Sequence, residues 1–541
     1  MYPEGLFVLT SPQHSEIPDI LLGSVFHRRD VLLGSQGLAD YLRRHPAADV
    51  REFSEGRFIL VRNEGGRVVI KTDDLAQDTV YYFSDASRGP AYWAVSNSLL
   101  ALTRQLRYDG FLPGFHEAAT LGFFAGNQSL WGGQPLSLNT LVDGVRFIPA
   151  GRHLEIAPGG LPQVTLSPTR ADRQGLDYAE GLMEYVRDVQ GRVQALVSHG
   201  YRFNLGLSGG IDSRMNFALM RPFLNPDSVR VHSNQQRSED FEVVRKIQGH
   251  YDFPIDGFAS RNGRNSGRDN VMTWMSGVLG AYLPVRMPMR NRNISSTFNV
   301  HGGNFRAGIY HIQPLKKRAK NLARHFDSRE QAEKVEREFY GFFDSVGVDV
   351  DDPIALDHHY INTRARFHYG LNWYRQLDQP LFTPHLSRQL FDLYHRLEPE
   401  QQEGEKLIYD LLSLTDPDLI DFPFDSPQKG FSDAVRRQRS SLSPQDLAAR
   451  GVPEFEVHGA LSPAEAGEDH PEAEAEFMAL VDEKVAEHSA RLKGAGPMLD
   501  AAIDELEKHA KLSGTKASHR YAALVVTLGE FDNLIGYNLE I

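Results

Sequence analysis

The chain of 541 residues contains no cysteine. This absence excludes disulfide bonds, thiolate metal sites and a cysteine nucleophile together. Long apolar runs are also missing, since none approaches the ~18 residues that a membrane-spanning helix needs. The first five residues carry no basic segment of the secretory type. We therefore expect a cytoplasmic protein that has no membrane partner.

Positive charge is in deficit. The chain has 58 lysines and arginines against 71 acidic residues, which gives a formal net charge of −13. A nucleic-acid surface that covers the whole molecule is not expected from this balance. With 41% hydrophobic and 24% charged residues, the composition is that of an ordinary globular protein. The length predicts two or more domains.

Residues 208–213 read Ser-Gly-Gly-Ile-Asp-Ser and are the most informative stretch of the chain. The apolar residues 203–207 precede it and predict a buried strand, whereas residues 214–220 predict a helix. A strand, a glycine turn with hydroxyls and a helix N-terminus together form an anion site. The sequence therefore predicts phosphate binding at this turn.

Each residue type in the turn has a chemical reason to be there. Gly209 and Gly210 allow the backbone to approach a phosphate closely, and Ser208 and Ser213 carry hydroxyl donors. Asp212 repels phosphate, so its presence is explained by a Mg²⁺ ion between its carboxylate and the phosphates. The stretch is not a P-loop, because it lacks the Gly-Lys-Ser/Thr ending.

The hexapeptide resembles the pyrophosphatase loop of the ATP pyrophosphatases. These enzymes cleave ATP between the α and β phosphates and adenylate a carboxylate or a similar oxygen. The resemblance implies Asp212 as a ligand of Mg²⁺. It also implies an ATP-binding set at the loop that comprises Leu207, Ser208, Gly209, Gly210, Asp212 and Ser213.

The N-terminal third is rich in short strand-like runs, and residues 64–66 predict a hairpin turn. Residues 55–61, 72–82, 93–102 and 147–154 resemble, in order, segments of the glutaminase domain of asparagine synthetases. The resemblance implies an αββα-type layered domain over residues 1–175. Members of that family that hydrolyse glutamine carry a cysteine after the initiator Met. Here Tyr2 stands at that position, and a phenol of pKa about 10 is a poor nucleophile.

The N-terminal domain is therefore predicted to be glutaminase-like in fold and inactive as a glutaminase. Two roles stay open for it. It packs against the second domain as a structural element, or it binds a partner or a substrate leader.

Residues 176–541 predict an α/β domain with a helical C-terminal part. The strand 229–233 and the helix 239–247 continue the strand–loop–helix alternation, which is typical of a parallel sheet that binds ligands at its C-terminal edge. In the family, the end of this second strand contacts adenine, which implies His232 or Ser233. Gly302 and Gly303 match the paired glycines of a later motif. The acidic pair of that motif is absent around Asn304, whose amide oxygen is a weaker Mg²⁺ ligand.

Two lysines match family positions that stabilise the negative charge of the acyl-adenylate step. Lys406 opens a predicted helix and is the first choice, although an ordinary surface lysine explains it as well. Lys429 is the alternate. Gln376 stands where an ammonia-using synthetase carries glutamate. Further candidates for phosphate contacts are Arg286, Arg290, Arg292 and Arg306.

The sequence thus predicts an ATP- and Mg²⁺-dependent ligase that adenylates a carboxylate, releases pyrophosphate and forms an amide. Because the glutaminase nucleophile is absent, the nitrogen comes from an amine of the same substrate, as in β-lactam synthetases and lasso-peptide cyclases, or from a second substrate. The expected partner is a small molecule or peptide that carries a carboxylate and an amine. A homodimer is also compatible with this prediction.

Three alternatives remain. A glutamine-dependent amidotransferase and a tRNA-modifying thiolase both conflict with the missing cysteines, and the second also with the lack of basic charge. A non-catalytic relative that binds nucleotide or a partner is favoured by the loss of acidic residues around Asn304.

Overall fold

The structure is a computed structural model and describes residues 5–87, 91–124, 133–168, 177–256, 267–282, 285, 296–300, 302, 305, 314–326, 328–370, 380–426, 429–438, 440–461, 472–507 and 516–535. Tyr2, Gly303, Asn304 and Gln376 lie outside these residues, as do the four arginines at 286, 290, 292 and 306.

The fold is α/β, and its described strands form three sheets. Two sheets belong mainly to the N-terminal part: one has four strands in the order β1-β7-β6-β8 and the other has seven in the order β10-β9-β5-β4-β2-β3-β16. A five-stranded parallel sheet, β13-β12-β11-β14-β15, organises the remainder. The strands are Val8–Thr10 (β1), Ile20–His27 (β2), Asp30–Leu33 (β3), Glu55–Glu64 (β4), Arg67–Thr72 (β5), Tyr81–Asp85 (β6), Tyr92–Ser96 (β7), Arg146–Phe147 (β8), Arg152–Ile156 (β9), Gln163–Leu166 (β10), Arg202–Gly206 (β11), Val229–His232 (β12), Ile255–Asp256 (β13), Thr297–Val300 (β14), Leu381–Phe382 (β15) and Glu456–Gly459 (β16).

Helices cover the sheets and make up most of the C-terminal part. A π-helix, Ile361–Gly370, continues directly from α10. The α-helices are Gly34–Arg44 (α1), Leu99–Tyr108 (α2), Glu117–Phe124 (α3), Tyr178–Ser198 (α4), Ile211–Met220 (α5), Ser238–Tyr251 (α6), Gly267–Val278 (α7), Leu315–Ala323 (α8), Arg329–Val346 (α9), Ala355–Tyr360 (α10), Arg388–Tyr394 (α11), Pro399–Glu403 (α12), Lys406–Thr415 (α13), Asp433–Gln438 (α14), Pro444–Arg450 (α15), Ala473–Leu492 (α16), Pro497–Glu507 (α17) and Lys516–Ile535 (α18). Short 3-10 turns are Ser11–Glu16, Val50–Glu52, Arg221–Phe223 and Pro417–Ile420.

The inner strands of the seven-stranded sheet are buried on both faces, and the side-chain alternation of β4 shows how. Phe58 and Leu60 pack into a cluster with Tyr41 of α1, whereas Ile59 and Val61 face the main core. Successive side chains of a strand point to opposite faces, so an unbroken apolar run supplies two cores. The predicted hairpin turn is confirmed, because β4 and β5 pair in antiparallel register around residues 65 and 66.

The strand β16 comes from the C-terminal part but completes the N-terminal sheet. Glu456 to Gly459 pair in parallel with Asp30 to Leu33. The fit against α1 is close: a Cβ on Gly37 would stand 2.4 Å from the carbonyl oxygen of His458. Residues on the two sides of position 175 therefore share one sheet.

Hydrogen bonds of buried polar side chains join the N-terminal sheets to the segment that follows β15. Thr383 donates a hydrogen bond to the side-chain oxygen of Gln77, whose amide donates to the carbonyl of Leu386 at 3.3 Å. The hydroxyl of Ser387 lies 3.2 Å from a carboxylate oxygen of Glu55. These contacts fix residues 383–387, within which His385 reaches the carbonyl of Asp212 in the helix after β11.

Candidate functional site

The loop at residues 208–213 lies between the carboxyl end of β11 and the start of α5. Because β12 and β14 flank β11 in parallel, Ser233 and Gly302 follow the carboxyl ends of the neighbouring strands. The topology thus brings the loop, Ser233 and Gly302 to one edge of the sheet, where open α/β sheets bind ligands.

Hydrogen bonds between its own residues shape the loop. The hydroxyls of Ser208 and Ser213 lie 3.0 Å apart, and the backbone N–H of Ser208 donates to Ser213 Oγ at 3.1 Å. The N–H of Gly210 donates to Ser208 Oγ at 3.2 Å. The two serines therefore stabilise the turn, and their hydroxyl oxygens lie at the N-terminus of α5.

The N-terminus of α5 offers backbone donors. Gly210 is the N-cap residue and supplies no side-chain hydrogen bond. The N–H groups of Ile211, Asp212 and Ser213 have no partner within the helix, because the first turn lacks preceding carbonyls. These donors and the positive end of the helix dipole are suited to an anion.

The two glycines of the loop serve different purposes. A Cβ on Gly209 would stand 2.6 Å from Cβ of Asp425, whose N–H donates to the Gly209 carbonyl at 3.1 Å. Close packing of residue 425 thus requires this glycine. At Gly210 the described neighbour of a Cβ is Ser208 Oγ at 3.3 Å.

Two carboxylates that the sequence analysis did not select lie against the loop. Asp240, in the first turn of α6, accepts a hydrogen bond from the N–H of Gly209 at 3.0 Å. Asp425 Oδ1 is buried and has no hydrogen-bond partner among the described residues. Asp240 could have been selected from the sequence, because it lies in the helix that follows β12. Asp425 could not, because its approach to the loop depends on a segment far along the chain.

The two predicted lysines occupy different settings. Lys429 is half exposed and binds Asp425 Oδ2 at 2.6 Å, which connects it to the loop through Gly209. Lys406 is largely buried and binds both oxygens of Asp410 at 2.5 and 2.6 Å within α13. The hydroxyl of Tyr178 donates to the same carboxylate at 3.1 Å. Asp410, which Lys406 binds, therefore ties α13 to α4.

Ser233 has the properties of a ligand contact. Its side chain is 2% exposed, and its Oγ has no hydrogen-bond partner among the described residues. A buried hydroxyl without a partner costs free energy unless a ligand or water completes it. The N–H of Leu207 is bound to the carbonyl of His232 at 2.9 Å, so its backbone donor is already used.

A buried histidine and a buried arginine support the first turns of α5. His385 donates from Nε2 to the carbonyl of Asp212, and burial lowers the pKa of His385 below its ordinary value. Arg214 is fully buried and donates to the carbonyls of Leu419 and Phe422 at 3.1 and 2.8 Å. Burial lowers the pKa of Arg214 to about 10, so the guanidinium stays charged at neutral pH. It anchors the segment that presents Asp425.

Comparison with known proteins adds no family to this picture, because neither a scan against protein-family models nor a search of curated proteins finds a match. Within the described residues, the helices are too short or too polar to cross a membrane. Among the described residues, nothing lies within 4 Å of the position that a Cβ on Gly302 would take.

Proposed function

We propose that this protein is an ATP-dependent ligase of the asparagine-synthetase type that forms an amide from a carboxylate and an amine. The observation that carries the proposal is the Ser-Gly-Gly-Ile-Asp-Ser loop, which begins α5 at the carboxyl edge of the central parallel strand. Its backbone donors suit the phosphates of a nucleotide. The buried hydroxyl of Ser233 on the neighbouring strand suits the adenine end.

The residues around the loop also fit a Mg²⁺ ion. Mg²⁺ prefers carboxylate oxygens together with phosphates and water. Asp212 belongs to the loop, Asp240 accepts from Gly209, and Asp425 has a buried oxygen without a hydrogen-bond partner among the described residues. The ligand atoms of these three carboxylates do not all lie within 4.8 Å of one another, so Asp212 would hold the ion together with phosphate oxygens. When bound, the ion would neutralise negative charge on the phosphates.

The proposed reaction has two steps. A carboxylate oxygen of the substrate bonds to the α-phosphorus of ATP, and the bond to the pyrophosphate group breaks. The amine nitrogen then bonds to the acyl carbon, AMP leaves and the nitrogen loses a proton. We assign charge stabilisation to Lys429, because it is the lysine that the described contacts connect to the loop. A fixed cation of this kind lowers the energy of developing phosphate charge.

The substrate remains a small molecule or peptide that carries both groups. Intramolecular ring closure needs no ammonia channel, because the amine is already held at high effective concentration. A second, separate amine substrate satisfies the same site chemistry.

Calorimetry with MgATP tests the nucleotide site before any substrate is known. We expect binding of one MgATP, loss of affinity in Asp212→Ala and Ser233→Ala, and unchanged affinity in Asp227→Ala, which removes an exposed carboxylate of the turn before β12. Failure to bind, or equal affinity in all three variants, would contradict the proposal. Pyrophosphate release with libraries of amino acids and peptides then tests the ligase step.

A non-catalytic nucleotide-binding protein is the second candidate. It is favoured by one contact, the hydrogen bond from Gly209 N–H to Asp240, which occupies a loop donor that a phosphate would use. MgATP binding without pyrophosphate release across such libraries would favour this candidate. Asp240→Ala would then raise affinity for ATP, whereas a Mg²⁺ ligand at this position would make the same variant bind more weakly.

A further inference from the structure

The strand β16 brings a histidine and a carboxylate to the edge of the N-terminal sheet. In the parallel register, Glu456 lies opposite Asp30 of β3. His458 follows two residues later and therefore points to the same face of the strand. These three side chains come from chain segments that lie 428 residues apart.

The three side chains converge closely enough to share an ion. Their ligand atoms all lie within 4.8 Å of one another, and His458 Nε2 stands 2.7 Å from Asp30 Oδ1. His458 is 2% exposed, and its ring packs edge-on against Tyr41 with the centroids 5.7 Å apart. The other ring nitrogen, Nδ1, has no hydrogen-bond partner among the described residues. The polar contact of this buried ring is therefore directed at the carboxylates.

We propose that Asp30, Glu456 and His458 bind a divalent transition-metal ion of the Zn²⁺ or Co²⁺ class. One imidazole nitrogen and two carboxylate oxygens form a ligand set that such ions accept, whereas Mg²⁺ and Ca²⁺ prefer oxygen ligands alone. The ion takes the position between Nε2 and the carboxylate of Asp30. Because the side chain of Glu456 is 56% exposed, ions reach the site from solvent and a water molecule completes the coordination.

The proposal also predicts that Arg44 of α1 opposes metal binding. Its guanidinium forms an ion pair with Glu456. An ion at the site must draw Glu456 away from this pair, and the arginine charge also opposes a cation nearby. Arg44 therefore weakens metal binding, although it stabilises the strand contact in the absence of an ion. The expected effect of the ion is to fix β16 on the sheet.

Titration of tag-free protein with ZnCl₂ by calorimetry, together with the absorption spectrum of bound CoCl₂, tests the site. We expect one ion to bind and the midpoint of thermal unfolding to rise with Zn²⁺ concentration. Glu456→Gln should reduce affinity by about tenfold or more, since even residues outside the ligand shell cost that much. Arg44→Ala should increase affinity.

Matched controls come from a second exposed ion pair, Arg329 with Glu333 in α9, whose atoms lie 2.8 Å apart. Glu333→Gln and Arg329→Ala should leave Zn²⁺ affinity unchanged. His458→Gln should abolish binding. If this change at a buried residue disturbs folding, Glu456→Gln still tests the site, because the side chain of Glu456 is exposed. Absence of Zn²⁺ and Co²⁺ binding, or equal affinity in wild type and Glu456→Gln, would overturn the proposal.

Discussion

The imidazole of His385 donates a hydrogen bond from Nε2 to the backbone carbonyl of Asp212, with 3.1 Å between the two atoms. Asp212 lies in the first turn of α5, where the anion site is formed. His385 itself belongs to the segment that Gln77 and Glu55 hold from the N-terminal sheets. The N-terminal part thus supports the loop through buried contacts, which is consistent with the structural role left open by the sequence.

Replacing His385 by Phe should weaken both the fold and nucleotide binding. The ring volume is kept, but the carbonyl of Asp212 loses its buried donor, at a cost of about 1–3 kcal/mol. We expect a lower midpoint of thermal unfolding and a larger Kd for MgATP. His385→Gln keeps a donor and should recover part of both losses. Equal behaviour of the Phe and Gln variants would show that the hydrogen bond does not matter.

Gly209→Ala should destabilise the protein because its new methyl group would meet Asp425 at 2.6 Å from Cβ to Cβ and 3.0 Å from Cβ to the backbone nitrogen. We expect the free energy of unfolding in urea to fall by about 1–3 kcal/mol. Gly249→Ala is the matched control, since no described residue lies within 4 Å of the Cβ position there in α6. It should be neutral or stabilising by up to about 1 kcal/mol.

Substitution of Lys406 should affect stability, whereas substitution of Lys429 should affect the reaction. Lys406→Ala leaves Asp410 buried without its cation, and breaking such a pair costs about 3–5 kcal/mol in free energy of unfolding. Lys429→Ala should change stability little, because Lys429 is half exposed. The Lys429→Ala variant should instead release pyrophosphate more slowly, which can be measured once a substrate is found. A stable, fully active Lys429→Ala variant would refute the role proposed for this residue.

The contribution of Asp73 to stability should fall as pH rises from 6.5 to 8. Burial raises the pKa of Asp73 to about 8, far above the value of 3.8 that an exposed aspartate has. The folded state therefore holds a proton that the unfolded state has released, and this advantage is lost as pH approaches 8. The slope can reach about 1.4 kcal/mol per pH unit.

Comparison of wild type with Asp73→Asn isolates this contribution. The histidines whose pKa burial lowers below 6.5, among them His358 and His359, add a slope of opposite sign near pH 6.5 in both proteins, because the unfolded chain still binds their protons there. The free energy of unfolding of wild type minus that of Asp73→Asn, measured in urea at several pH values, should therefore fall as pH rises. Parallel profiles for the two proteins would mean that Asp73 is already ionised in the fold.

Local patterns predicted the framework of the site well. The apolar residues before the loop form β11, and the residues after it form α5. Alternation of strands and helices predicted the parallel sheet, which is confirmed. These features depend on residues that are near one another in the chain, so their periodicity records them.

Contacts between distant segments were not predictable in the same way. The approach of Asp425 to Gly209 and the pairing of β16 with β3 join segments far apart in the chain, and no periodicity marks either. The change from α-helix to π-helix after Tyr360 is likewise not marked by local spacing.

The position of β16 also has a consequence for synthesis on the ribosome. Until residue 459 emerges, β3 remains an edge strand whose outer N–H and C=O groups have no ladder partner on that side. The 428 residues between Asp30 and His458 take about 20 to 90 s to translate at ordinary rates. During that interval the nascent chain carries an unfinished sheet, and a truncation before Glu456 would make this edge permanent and prone to intermolecular pairing.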